Sequence, residues 1–148
     1  MTETVALAAI PHRPPFLFVD EVVAVTDRRI VTRTLADPNA DFFRGHYPGR
    51  PVMPGVLVCE CCFQAGALLI AHRLGSNLAS LGVPVLTRIQ DARFRRMVLP
   101  GQTLDVEVTL DDELNGAYFL TGRVTVAGQP AVRVTFACTQ APAETPSP

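Results

Sequence analysis

No lysine occurs in this chain of 148 residues; all 13 basic side chains are arginine. That absence excludes Schiff-base chemistry, lysine nucleophiles and a lysine anchor for pyridoxal phosphate, each of which needs a primary amine on the chain. An excess of either charge is missing too. The formal net charge of -1 supplies no global attraction to nucleic acid or to an anionic membrane, so neither is expected as a partner, and an anionic partner must be met by a local patch. Long apolar runs are absent from the N-terminus. "MTETVALAAIPHR" has an acid where a secretion signal has basic residues, and its apolar run from Val5 to Ile10 is shorter than a signal core or a membrane span. The expected compartment is the cytoplasm.

Cysteine is scarce and badly placed for disulfides. Cys59, Cys61 and Cys62 crowd one helical segment and Cys138 stands alone, so an extracellular disulfide framework is not expected. The CxxC from Cys59 to Cys62 follows a helix start, as redox motifs do. No second CxxC or close histidine pair completes a zinc site, and apolar residues flank the motif, so buried packing is the preferred reading and no metal is expected.

What remains is the composition of one globular domain with a core, 48% apolar and 18% charged. Residues 16 to 25, "FLFVDEVVAV", and 29 to 35, "RIVTRTL", are β-branched and broken at "TDR", which predicts a hairpin. From 36 to 54, four prolines and two glycines predict a structured loop. Pro54 and Gly55 then open "VLVCECCFQAGALLIAHRLG", a helix apolar almost all round that stops at Gly75. After "SNLASLGVP" come strands near 84–99, 103–110, 117–127 and 131–139, separated by "PGQ", "DDELNG" and "AGQ". The expected architecture is α+β, with a curved antiparallel sheet of about six strands around one long central helix. The domain is expected over 1–140 and a disordered Pro-rich tail over 141–148. Such a sheet leaves an open edge that a second copy could pair with.

One carboxylate, Glu60, stands in that greasy helix. An unpaired buried charge costs several kcal/mol unless neutralised or paired, so the residue needs a use. Gln64 lies four residues on, about 40° around the axis, close enough to share a hydrogen bond. Before the helix comes His46 in a glycine- and proline-rich loop, and the first free helix amides, around Gly55 and Val56, face whatever occupies that end. A histidine, a buried carboxyl and a helix N-terminus can serve as a base, an acid and a carbonyl-binding site. Each also has a plain structural reading: a satisfied polar pair in the core for Glu60 and Gln64, a loop histidine for His46.

Three blocks carry a resemblance: "IPHRPPFLFVDEV" at 10–22, "FFRGHYPGRPVMPGVLVCECCFQAG" at 42–66 and "ARFRRMVLPGQTL" at 92–104. In this order they resemble the β-hydroxyacyl-acyl-carrier-protein dehydratases of the FabZ type. The resemblance implies a hot-dog fold and a homodimer whose two sites are each built from both chains, and it admits a trimer of dimers. It implies His46 and Glu60 as the catalytic pair, with substrate bound by Gly55, Val56 and Gln64, the last orienting the carboxyl. The implied reaction converts a (3R)-3-hydroxyacyl thioester to the trans-2-enoyl thioester and water. No cofactor is implied beyond the phosphopantetheine of acyl carrier protein, which delivers the substrate. The acidic carrier is expected to dock on Arg93, Arg95 and Arg96, with Arg88 nearby; in a strand, 93 and 95 would share a face. His12 and Arg13 are either catalytic helpers or part of a structural turn, and the turn is preferred.

Some positions depart from that pattern. "CECCFQ" replaces an alanine- and methionine-rich run, Arg88 stands at a place commonly held by glycine, and Met97 replaces a proline. All fall near the expected acyl tunnel and bear on chain length rather than chemistry. Glutamate rather than aspartate at position 60 argues against isomerisation. Hot-dog folds also host thioesterases and non-catalytic partner subunits, which stand as the alternative functions.

Overall fold

The computed structural model describes residues 5–75 and 82–141. Most of the connector after the helix, and the tail beyond 141, lie outside that range. Ala141, assigned from sequence to the tail, ends the last strand.

The first hairpin is β1 (Glu21–Val25) and β2 (Arg29–Leu35), followed by a one-turn helix α1 (Phe42–Gly45) inside the expected loop and the long helix α2 (Gly55–Leu74). Then come β3 (Val83–Phe94), β4 (Thr103–Leu114), β5 (Ala117–Val126) and β6 (Gln129–Ala141). All six strands form one antiparallel sheet in the order β1-β2-β4-β5-β6-β3. β3 therefore crosses to pair with β6 and becomes an edge.

Three strand boundaries differ from the sequence reading. The first strand begins at Glu21 rather than residue 16, because the Phe18 N–H and the Phe16 carbonyl are bonded to the Gln64 side chain instead of to a neighbouring strand. β3 stops at Phe94 because the Arg95 and Arg96 amides both turn to Ala131 O, at 2.8 and 3.3 Å. Arg95 thus leaves the strand and does not share a face with Arg93. β4 runs past Leu110, through a bulge, to Leu114. Only Asn115 and Gly116, at φ 51° and 80°, are needed for the turn; positive φ at both central residues matches the twist of a two-residue hairpin.

α2 is apolar and long enough to cross a bilayer by composition, but 67% of that stretch is buried within the protein, as befits a core helix. It seats closely on the sheet. A Cβ added at Gly122 of β5 would lie 2.7 Å from Cys62 Cβ and Sγ, so the missing side chain is what admits the helix. Gly75 ends the helix at φ 54°, with its N–H on Ala71 O. Around this seam Leu68, Leu69, Ile70, Leu104, Leu120 and Phe136 are fully or almost fully buried.

Candidate active site

The loop after α1 is closed by two bonds between the same residues. Val52 N–H donates to His46 O, and His46 Nδ1 donates to Val52 O, both at 2.8 Å. A carbonyl accepts only, so Nδ1 carries a proton, and it is Nε2 whose lone pair the neutral imidazole presents, as a general base requires. His46 lines a cavity of about 410 Å³ with Gly55, Val58, Phe94, Arg95 and Met97 among its walls. Gly55 opens α2 here. The Leu57 and Val58 amides both turn back to Pro54 O, leaving the Gly55 and Val56 amides without an acceptor within the helix. The Phe94 ring lies over Gly55 so closely that a Cβ there would be 2.7 Å from Phe94 Cε1. Val56 itself is 72% exposed, so its side chain adds nothing to the cavity wall; only its amide is placed to matter.

Glu60 faces elsewhere. Two positions on from Val58 is about 200° around a helix, and Glu60 lines a separate small cavity of about 90 Å³ with His12, Phe63, Ala67, Pro84, Leu86 and Cys138. Within one chain, then, His46 and Gly55 share one cavity while Glu60 and Gln64 lie toward the other side of α2.

Gln64 is fully buried and its amide orientation is forced. Oε1 accepts from Phe18 N–H at 2.7 Å, so Nε2 is turned to Phe16 O at 3.0 Å and to Glu60 Oε2 at 2.9 Å. It holds the carboxyl rather than presenting a surface to substrate. Burial raises the Glu60 pKa above the usual carboxylate value; the Gln64 hydrogen bond and His12 oppose that rise with smaller effect. The result is a carboxyl biased toward its acid form. Because Oε2 accepts from Gln64, and no bond reaches Oε1 among the described residues, the acidic proton belongs on Oε1.

His12, read from sequence as part of a turn, comes to 3.8 Å from Glu60 Oε2 through Nε2. No spacing signal could have found this contact, since 48 residues separate the two. The cysteines are all buried. Burial pushes the Cys59 thiol up to about 11, Cys61 and Cys138 to about 12, and Cys62 well above the ordinary value. Thiols so far from ionising are packing groups, not nucleophiles. The arginines divide: Arg93 is bonded to Asp91 at 3.1 Å, while Arg95 and Arg96 line the His46 cavity.

A helix wrapped by one antiparallel sheet, with a histidine at the helix start and a buried carboxyl on its flank, defines a hot-dog protein with the groups for proton transfer. A family model described as the FabA-like domain matches residues 10–135. The 3-hydroxyacyl-[acyl-carrier-protein] dehydratase FabZ of Anaeromyxobacter dehalogenans is 41% identical over 128 residues, covering 86% of this chain and 82% of that protein. The FabZ of Oenococcus oeni is 41% identical over 135 residues, covering 88% and 93%. Among solved structures, the dehydratase heterocomplex ApeI:P from Xenorhabdus doucetiae matches with a TM-score of 0.80 at 18% identity, over 94% of this chain and 93% of that one. A hypothetical thioesterase from Streptococcus pneumoniae with coenzyme A matches at 0.66 and 12% identity, over 95% and 94%. Those two show the shared fold alone. The chain belongs to the FabA-like family, among its FabZ-type dehydratases.

Proposed function

We propose that this chain is a 3-hydroxyacyl-[acyl-carrier-protein] dehydratase, a hydro-lyase of fatty-acid or related polyketide or polyene synthesis. His46 Nε2 removes the proton from the carbon beside the thioester carbonyl. The Gly55 and Val56 amides, at the positive end of α2, stabilise the enolate-like oxygen. Glu60 Oε1–H protonates the departing hydroxyl, and water leaves with a trans-2-enoyl thioester. The observation that carries this reading is the Glu60 carboxyl, its pKa raised by burial and one oxygen held by Gln64: burial in a greasy helix biases a carboxyl toward the protonated form that a general acid needs. Two side chains and a helix end perform the whole reaction, so it calls for no cofactor beyond the phosphopantetheine that carries the substrate. We place the enzyme, with that carrier, in the cytoplasm.

Base and acid must flank one substrate, yet in one chain they line different cavities. We infer a homodimer in which His46 of one copy meets Glu60 of its partner. The β3 edge supports that pairing: Leu86, Ile89 and Phe94 are 37%, 54% and 55% exposed, apolar side chains on a strand whose outer edge has no partner strand among the described residues, which a second copy would cover. The carrier docks on Arg95 and Arg96 at the mouth of the His46 cavity, and Arg93 contributes less because Asp91 already holds it.

The test incubates the protein with a 3-hydroxyacyl thioester and follows enoyl absorbance together with free thiol. Enoyl formation without thiol release is expected; thiol release would mark a thioesterase, and neither product a non-catalytic subunit. Composite sites are tested by mixing. His46→Ala and Glu60→Gln should each be inactive, but dissociated and reassociated together they form about half heterodimers, each with one intact site, so about a quarter of the activity returns. No recovery would place base and acid in one chain.

A further inference from the structure

The reaction as derived leaves His12 without a use. The segment that carries it is tied down along its length. Arg13 Nη1 donates to Ile10 O at 2.9 Å and to His12 O, Phe16 N–H donates back to Arg13 O at 2.8 Å, and Gln64 grips Phe16 O and Phe18 N–H. A turn needs no side chain aimed at a helix. His12 is nonetheless turned onto α2, with its side chain 26% exposed and its Nε2 3.8 Å from Glu60 Oε2. Its Nδ1 is buried and has no hydrogen-bond partner. A buried N–H without an acceptor is costly, so a singly protonated imidazole carries its hydrogen on Nε2, toward the carboxyl.

The groups facing Glu60 from the surrounding elements can be named. The N-terminal segment contributes His12, α2 contributes Gln64 and Cys61, β6 contributes Cys138, and β3 contributes only the apolar Pro84 and Leu86. Gln64 is fully committed and the two thiols are held far from ionising by burial. Cys61 gives its S–H to Leu57 O and the Cys138 S–H is a weak donor, so among the described residues His12 is the strong donor at this cavity whose hydrogen has no acceptor yet.

At 3.8 Å the contact is longer than a hydrogen bond, and a protonated Glu60 gains little from it. When the proton passes from Oε1 to the leaving hydroxyl, Oε2 becomes part of a carboxylate, and a hydrogen bond to a charged acceptor is shorter and roughly twice as strong as a neutral one. A donor that strengthens only as charge develops lowers the barrier rather than the ground state. We propose that His12 is a positioning residue of the dehydration step: its Nε2–H closes onto Glu60 Oε2 as Glu60 gives up its proton, and with Gln64 it stabilises the carboxylate so formed. This rests on the reading of Glu60 as the acid.

The experiment compares wild type, His12→Leu, which fills the site without a donor, and His12→Gln, which restores one. His12→Leu should lower kcat about tenfold to a hundredfold, the range for a hydrogen bond to a charged group, with KM within about twofold. It should also move the alkaline limb of kcat/KM to higher pH, because a carboxylate without its donor takes up a proton more readily. The carboxyl-carbon resonance of Glu60 should titrate with the same shift, independently of turnover. His12→Gln should recover most of kcat and the wild-type limb. In a Glu60→Gln background, His12→Leu should cost nothing further. Should His12→Leu fail to fold, His12→Asn, polar but too short to reach, takes its place. Equal losses in the leucine and glutamine variants, or an unmoved limb and resonance, would overturn the proposal and return His12 to a structural turn. A wild-type protein that forms no enoyl product would instead overturn the reading of the site itself.

Discussion

Replacing Glu60 by glutamine separates what the residue does for turnover from what it does to stability. The amide is nearly isosteric, and its oxygen can still accept from Gln64 Nε2, which sits 2.9 Å from Oε2. What it lacks is the acidic proton. Dehydration should therefore fall by about 10² to 10⁴, the usual loss when an acid or base is removed. Stability should move the other way, and with a defined pH dependence. An unfolded glutamate ionises near ~4.3, whereas burial raises Glu60 in the folded protein. Below the unfolded value both states are protonated and nothing is lost. As pH climbs from there through the raised folded value, the unfolded chain binds fewer protons than the native one, so the wild type loses stability, by about 1.4 kcal/mol for each unit between the two values. Glutamine has no proton to lose. The variant's advantage should thus be absent at acid pH, grow across that window and level off above it. Urea midpoints at fixed protein concentration on both sides of the window, alongside enoyl formation from a pantetheine thioester, measure both effects. Near-normal turnover in the variant would sink the acid role, and a stability difference that shrank as pH rose would sink the account of the buried carboxyl.

Gln64→Leu should cost about 1–3 kcal/mol for the orphaned Phe18 amide alone, and should move the alkaline limb of the rate upward, since the Gln64 bond opposes the rise in the Glu60 pKa; an unmoved limb would disconnect Gln64 from the acid. Replacing Cys59, Cys61 and Cys62 together by alanine should lower stability through lost packing while leaving turnover independent of added zinc or thiol reductant; stoichiometric zinc in the purified protein would contradict the packing role. Gly122→Ala should destabilise by about 1–3 kcal/mol by overpacking, and Cys62→Ala should not rescue it, because Cys62 Cβ itself stands 2.7 Å from the added atom. Reversing Arg95 and Arg96 to glutamate should raise KM for carrier-bound substrate about tenfold, roughly 1.4 kcal/mol, in a salt-dependent way; an equal rise for a pantetheine analogue would mean that the arginines support the fold.

Local pattern was enough for much of this protein. The length of the apolar run after Pro54 and the glycine at 75 predict a helix that the structure has over Gly55–Leu74, and the pairing of Glu60 with Gln64 follows from helical periodicity, since neighbours four apart on a helix meet whatever the rest of the chain does. The β-branched runs likewise mark the strands, because alternation is a property of a few consecutive residues. Boundaries were less legible where side chains competed for backbone groups. Nothing near Phe18 announces that its N–H will go to Gln64 Oε1 or that Phe16 O will accept from Gln64 Nε2, and those two long-range bonds keep residues 16–18 out of the first strand.

Sequence by itself determined the six strands and the long helix, because residue type and period are carried locally, and it put forward His46 and Glu60 as the proposed base and acid through the motifs that surround them. Tertiary structure alone decided that β3 crosses to the edge beside β6, that His46 and Glu60 line different cavities about α2, and that His12 reaches Glu60 across 48 residues of chain. Those outcomes depend on which buried surfaces meet when the sheet closes on the helix, a matter of packing over the whole core that no short window of residues contains.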